Sequence, residues 1–146
     1  MNCANFNSIK SSFIKTDKRV PAIMGCMASV FRYFGHNFPL QEKYDPIPGG
    51  KIEVSLHGVM EAARAEGFSA EGYEGDINFL KEFYKPVILP AEKKAGYDHS
   101  FTLYGWNNNK FILGDPHWGI IEYRMDELDA VWVSKTFLLV RPEGRS

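Results

Sequence analysis

Apolar residues recur at helical spacing between Ile23 and Phe34, on Ile23, Met27, Val30, Phe31 and Phe34. That spacing predicts a helix with one buried face. Pro21 suits its first position, where a missing N–H removes nothing, and Gly35 ends it, with His36-Asn37 as the exit. A second helix is expected over SLHGVMEAARAEG, capped by Ser55 and closed by Gly67. A short strand follows at Phe68–Tyr73, and Asp76 then caps a third helix, INFLKEFY. Residues 1–20 read as polar and irregular, ending in an extended piece around Phe13–Lys15. Residues 45–54, DPIPGGKIEV, read as a loop dense in Pro and Gly.

From Pro86 the pattern switches to strands. PVILP is a short apolar strand at Pro86–Pro90. His99–Trp106 and Lys110–Gly114 form two more, joined by Asn107-Asn108-Asn109, a hairpin turn composition. Trp118–Arg124 alternates as a strand, Met125–Ala130 is a short helix, and Thr136–Val140 is a last strand. Helices first and antiparallel strands later predict an α+β domain, one helical layer on one sheet layer. A single domain is expected over 1–146, with its core at about 13–142.

Composition narrows the function. Hydrophobic residues make up 45% of the 146, enough for a core, and aromatic residues 14%. A net charge of −1 offers no basic surface for nucleic acid or for a membrane. Cys3 and Cys26 do not make a disulfide framework and read as free thiols of a reducing compartment. No apolar run is long enough to span a bilayer, and the first residues lack the core of a signal peptide. A cytoplasmic location is the default expectation. The chain also fits a soluble piece of a longer membrane protein. No ligand spacing for a metal and no phosphate loop is visible, so no cofactor is expected.

Of the four histidines, three read as incidental. His36 follows a helix end, His57 lies early in a helix, and His117 follows Asp-Pro in a turn. His99 opens an apolar strand, SFTLYGW, after a polar loop. The next strand, KFILGD, closes on Asp115. Antiparallel pairing through the Asn turn brings the two outer ends together. An imidazole and a carboxylate thus share one sheet edge, the base and orienter of a nucleophile–His–Asp site. The plain alternative is a strand-end histidine and an Asp-Pro turn. No nucleophile is evident. Cys26 lies about one turn into the first helix, on a face shared with Ala22 and Val30, which predicts burial.

Residues 14–35, IKTDKRVPAIMGCMASVFRYFG, resemble the opening of the peptidase C39 family, the double-glycine leader peptidases. That opening reads Ile-Lys-Gln, five residues, Cys-Gly-x-Ala-Cys-Leu, and a helix ending Tyr-Tyr-Gly. Downstream, VSLHGVMEAARAEGFSAEGYEGDINFLKE, PVILP, DHSFTLYGW, KFILGDPHWG and YRMDELDAVWVSKTFLLVRP resemble the family's later segments in the same order.

The resemblance implies a papain-like fold and a cytosolic domain of an ABC exporter. Such domains cut a leader peptide after Gly-Gly, and the transmembrane and ATPase parts of the exporter move the cargo. It implies His99 as base, Asp115 as its orienter and Cys26 as the family's second, non-catalytic cysteine. It also exposes four departures. The nucleophile position holds Ala22, the following glycine is Ile23, the preceding acid is Pro21, and the oxyanion glutamine is Thr16. Threonine could still offer a hydroxyl to an oxyanion.

Two readings stay open. One is a substrate-docking domain that no longer cuts, with Tyr104, Trp106, Trp118 and Tyr123 lining its groove. The other is a cysteine peptidase whose nucleophile has been replaced at position 22. A weaker third makes Cys26 a shifted nucleophile. Gly49-Gly50 matches the family's substrate motif but reads as a turn.

Overall fold

The computed structural model describes residues 2–3, 6–40, 46–47, 51–52, 56–90 and 100–143. In chain order these form β1 (Asn2–Cys3), α1 (Phe6–Ser12), α2 (Ala22–Tyr33), β2 (Pro46–Ile47), β3 (Lys51–Ile52) and α3 (Leu56–Ala65). Then come β4 (Phe68–Glu74), a 3-10 turn (Phe79–Glu82), β5 (Val87–Pro90), β6 (Ser100–Asn107) and β7 (Lys110–Asp115). β8 (Gly119–Tyr123), α4 (Met125–Val131) and β9 (Thr136–Pro142) complete the chain. His99, Ser55 and the Gly49-Gly50 pair lie outside the described residues.

The α+β reading holds. One antiparallel sheet runs β4-β9-β5-β6-β7-β8, with β1 added beside β6. The expected helical layer, α2 and α3, packs on one face of the sheet, and the 3-10 turn and α4 cover the other face as well. Strand side chains alternate between faces. Phe68, Ala70, Ile88, Leu138 and Val140 meet α2 and α3 on one face. Val87, Leu89, Phe101, Leu103, Phe111, Leu113 and Phe137 lie under Leu80, Leu128 and Trp132 of the 3-10 turn and α4 on the other. A strand buried on both sides reads as a continuous apolar run, which is why PVILP shows no alternation.

The helix after Pro21 forms, with Pro21 as its N-cap rather than its first helical residue. Its exit is a Schellman motif: the His36 N–H donates to the Phe31 carbonyl (2.9 Å) and the Gly35 N–H to that of Arg32 (2.9 Å). Gly35 takes φ +81°, the left-handed conformation that the motif requires. Phe31 stacks on Phe68 with ring centroids 3.8 Å apart, both rings buried, tying α2 to the sheet.

Three local expectations are corrected. The irregular start contains α1, whose Ile9 is buried against Tyr104 and Ile112. The third helix is only a 3-10 turn: the Asp76 carboxylate accepts the Phe79 N–H (2.9 Å), but Phe83 is already extended. The Pro/Gly loop contains the two-stranded ribbon β2–β3.

The Asn turn is a tight hairpin. Asn107 pairs with Lys110, and Asn108 and Asn109 take φ 54° and 61°, a type I′ turn. Further along, the register shifts between Leu103 and Gly105. This bulge inserts one residue, Tyr104, and swaps the faces of everything after it.

Candidate functional site

Three backbone segments meet at the start of α2. The first is the approach, residues 15–20. There Asp17 accepts the Arg19 backbone N–H (2.8 Å) and side-chain Nε (2.8 Å). Those bonds to Arg19 hold its carboxyl below the usual carboxylate range. The second is the helix tip. Pro21 is the N-cap, with no side-chain cap, and its carbonyl accepts the Met24 N–H (2.9 Å). Ala22, the first helical residue, is 1% exposed.

The third segment is the turn that leaves β7. Trp118 N–H donates to the Asp115 carbonyl (3.0 Å), and His117 N–H donates to Asp115 Oδ1 (2.9 Å). Asp115 itself is 5% exposed. Two bonds fasten this turn to the approach segment. Thr16 N–H donates to the Pro116 carbonyl (2.8 Å), and His117 Nε2 lies 2.7 Å from the Val20 carbonyl oxygen. Gly25 makes room for the contact. A Cβ there would stand 2.6 Å from Pro116 Cβ and 3.1 Å from Thr16 Oγ1. The Thr16 hydroxyl is buried and has no hydrogen-bond partner among the described residues.

Ala22, Thr16 and the Asp115 turn are therefore brought together. Thr102 pairs with Gly114, so Ser100 and Asp115 stand at the same end of the β6–β7 pair. Ser100 is the residue after His99. Cys26 is 0% exposed, a small apolar residue inside the core.

The aromatic candidates separate. Tyr104 is corrected: it is 0% exposed and packs with Ile9 and Ile112, so it lines no groove. Burial, before any other cause, pushes its phenol above the ordinary range. Ser29 and Ser12 hydroxyls oppose that rise, but their geometry falls short of hydrogen bonds to it. Trp106 is corrected too. The bulge turns it to the far face, where its ring meets Phe111 at 4.5 Å and Lys81 Nζ at 4.9 Å. Tyr123 lies half-buried on that same far face, edge-on to Phe101. Trp118 alone is exposed beside the helix tip, with Lys18 Nζ 5.4 Å from its ring centre.

Sequence reasoning missed His117 and Gly25. The Asp-Pro-His triplet was a usable signal, since Asp starts such turns and places the following side chain. Gly25 in a helix interior was another, because such a glycine needs a packing reason. Among the described residues no three of His, Cys, Asp and Glu gather as metal ligands.

No curated protein matches the chain. Solved structures do. The peptidase domain of Streptococcus ComA, a bi-functional ABC transporter involved in quorum sensing, aligns with TM-score 0.73 and 18% identity over 89% of this chain and 97% of that one. A double glycine motif protease from an AMS/PCAT transporter, solved with its leader peptide, aligns with TM-score 0.70 and 19% identity over 98% and 99%. The N-terminal peptidase C39 like domain of a toxin secretion ATP-binding protein from Vibrio parahaemolyticus gives 0.61 and 16% over 87% and 100%. At these identities the likeness establishes the fold. The model of the peptidase C39 family matches residues 14–144. The chain belongs to the peptidase C39 family.

Proposed function

We propose that this chain is a substrate-holding domain of a peptide exporter, binding a leader peptide at the start of α2 without cutting it. The observation that carries this reading is Ala22. The first residue of α2, where the family resemblance places the cysteine, offers only a buried methyl group. A methyl group has no electron pair with which to attack a carbonyl. Cys26 cannot substitute, since its sulfur is buried one turn further on. The Thr16 hydroxyl is buried beside Gly25, closed off from a substrate oxyanion.

The similar structures support the partner and setting of this reading. One is a protease held with its leader peptide, and others are parts of ABC transporters. The bound partner is accordingly a secretion leader. The transmembrane and ATPase parts lie elsewhere in the exporter, and the domain works on the cytoplasmic side. Among the described residues no helix is long and apolar enough to cross a membrane. Exposed Trp118, beside the helix tip, is the aromatic residue we assign to peptide contact.

The competing reading is a peptidase whose cysteine was replaced at position 22. It draws on Asp115, which keeps a buried carboxylate at the strand end, and on His99 one residue before β6. A double-glycine leader peptide separates the two. The expected result is saturable binding to the native chain, with intact peptide recovered from both it and Ala22→Cys. Cleavage by Ala22→Cys at neutral pH would support the silenced peptidase, and absence of binding would sink the holding role.

A further inference from the structure

β4 stands at the end of the sheet, and β9 and β5 separate it from β6. Its last four residues, Glu71–Glu74, are all exposed. Backbone direction alternates along an antiparallel strand, so every second residue turns its N–H and C=O away from the neighbour. The outward set is fixed by Ala70, whose carbonyl accepts Arg64 of α3 at 2.7 Å. Gly67 and Gly75 belong to the inward set: the Gly67 carbonyl accepts the Glu143 N–H, and the Gly75 N–H donates to Lys135. Gly72 and Glu74 share the outward parity of Ala70. Arg64 covers the strand at Ala70, but no described residue bonds to the outward groups of Gly72 and Glu74.

Open edges invite another strand, and proteins usually blunt them with charged side chains, proline or a bulge. Residues 71–74 carry no proline and no bulge, so their only guard is the negative charge of Glu71 and Glu74, which a basic strand would meet favourably. An aromatic patch lies alongside. Tyr73 stacks on Phe137 at 5.6 Å, and Phe79 tilts over the same ring at 5.9 Å, while Tyr73 and Phe79 stay 47% and 48% exposed. Glu71 shares the face of Tyr73, and Glu74 points to the opposite face. Among the described residues neither glutamate forms an ion pair.

We infer that the Gly72–Glu74 edge is a second docking site, one that takes an extended peptide with alternating basic and apolar residues. Main-chain bonds from Gly72 and Glu74 would hold the peptide as an added strand. Apolar side chains of the peptide would share the face of Tyr73 and Phe79, and lysine or arginine would lie on the other face, against Glu74. Charge decides against a second copy of this chain. Self-pairing would line both copies' Glu71 and Glu74 along one ladder with no cation between them, an unfavourable arrangement.

The probe is the acetylated hexapeptide Lys-Val-Lys-Val-Lys-Val amide, with a Glu-for-Lys counterpart and a version N-methylated at alternate residues. Amide shifts of the isotope-labelled chain give the site and the affinity. The expected result is saturable movement of the Gly72 and Glu74 amides with the lysine peptide alone. N-methylation should abolish it. The double variant Glu71→Lys, Glu74→Lys should bind the lysine peptide about tenfold or more weakly and accept the glutamate peptide instead. These exposed positions leave the fold untouched, so a folded variant with unchanged affinity would overturn the inference. So would shifts confined to the start of α2 and the Asp115 turn, or edge shifts that grow with protein concentration without peptide, the mark of a second copy.

Discussion

The imidazole Nε2 of His117 lies 2.7 Å from the carbonyl oxygen of Val20. A carbonyl only accepts, so Nε2 carries the proton. The bond fixes the Asp115 turn to the residue before Pro21. His117→Ala leaves the Val20 carbonyl unpaired, and an expected loss of about 1 kcal/mol follows. The melting temperature of His117→Ala should fall by about 3 °C. His117→Gln, which keeps a donor, should recover part of the difference. Equal melting temperatures for all three would show that the bond contributes nothing.

Gly25→Ala should destabilise the fold, against the usual trend. Alanine in a helix interior normally gains about 1 kcal/mol over glycine. Here its Cβ would lie 2.6 Å from Pro116 Cβ, and the Asp115 turn would have to retreat. Overpacking of this kind costs about 1–3 kcal/mol, so a lower urea midpoint is expected. Gly72→Ala is the control, with only Leu138 Cδ2 near, at 3.6 Å. A Gly25→Ala variant more stable than the parent would show that the turn can move freely.

Alkaline pH should loosen the fold through Tyr104. Burial raises its phenol above the ordinary value of 10. Above pH 10 the unfolded chain releases this proton while the folded chain keeps it, so the native state binds more protons. Its contribution is complete below that pH and declines as pH rises, by up to about 1.4 kcal/mol per unit. Tyr123, raised first by burial and then by Asp115 and Glu127, acts in the same direction. Tyr104→Phe should remove most of the slope. Denaturant titrations between pH 9 and 11 check it, and an unchanged slope refutes it.

Cys26 should resist alkylation in the folded chain. Its side chain is fully buried, and thiol reagents attack an accessible thiolate. In a Cys3→Ser background, a chromogenic disulfide should detect no thiol natively and one equivalent after denaturation. Prompt reaction in the native state would restore Cys26 as a candidate nucleophile.

Sequence patterns revealed α2, its glycine exit, the Asn hairpin and the strand-rich second half, because each rests on local spacing or turn chemistry. What they concealed depends on contacts distant in sequence. Residues 1–20 read as irregular because the partners of Ile9 and Phe13, Tyr104 and Ile112, lie some hundred positions away. Tyr104 and Trp106, two apart on one strand, both read as groove residues, and the bulge at Tyr104 puts them on opposite faces. The far-face cluster was missed because four residues of 3-10 turn and seven of α4 give too short a period to read. At the candidate site, Asp115 was legible as a strand end. The hold of His117 on Val20 was not, since 97 positions separate them.

The strand order also bears on how the chain acquires its shape during synthesis. β9 lies between β4 and β5, pairing Leu138 with Gly72 on one side and with Ile88 on the other. A chain emerging from the ribosome exposes β4 and β5 long before the strand that joins them exists. Closing such a long loop is slow, as distant pairings are in general. Until residues 136–142 leave the exit tunnel, the halves of the nascent sheet remain open to unwanted strands, and that interval is when a chaperone would matter most.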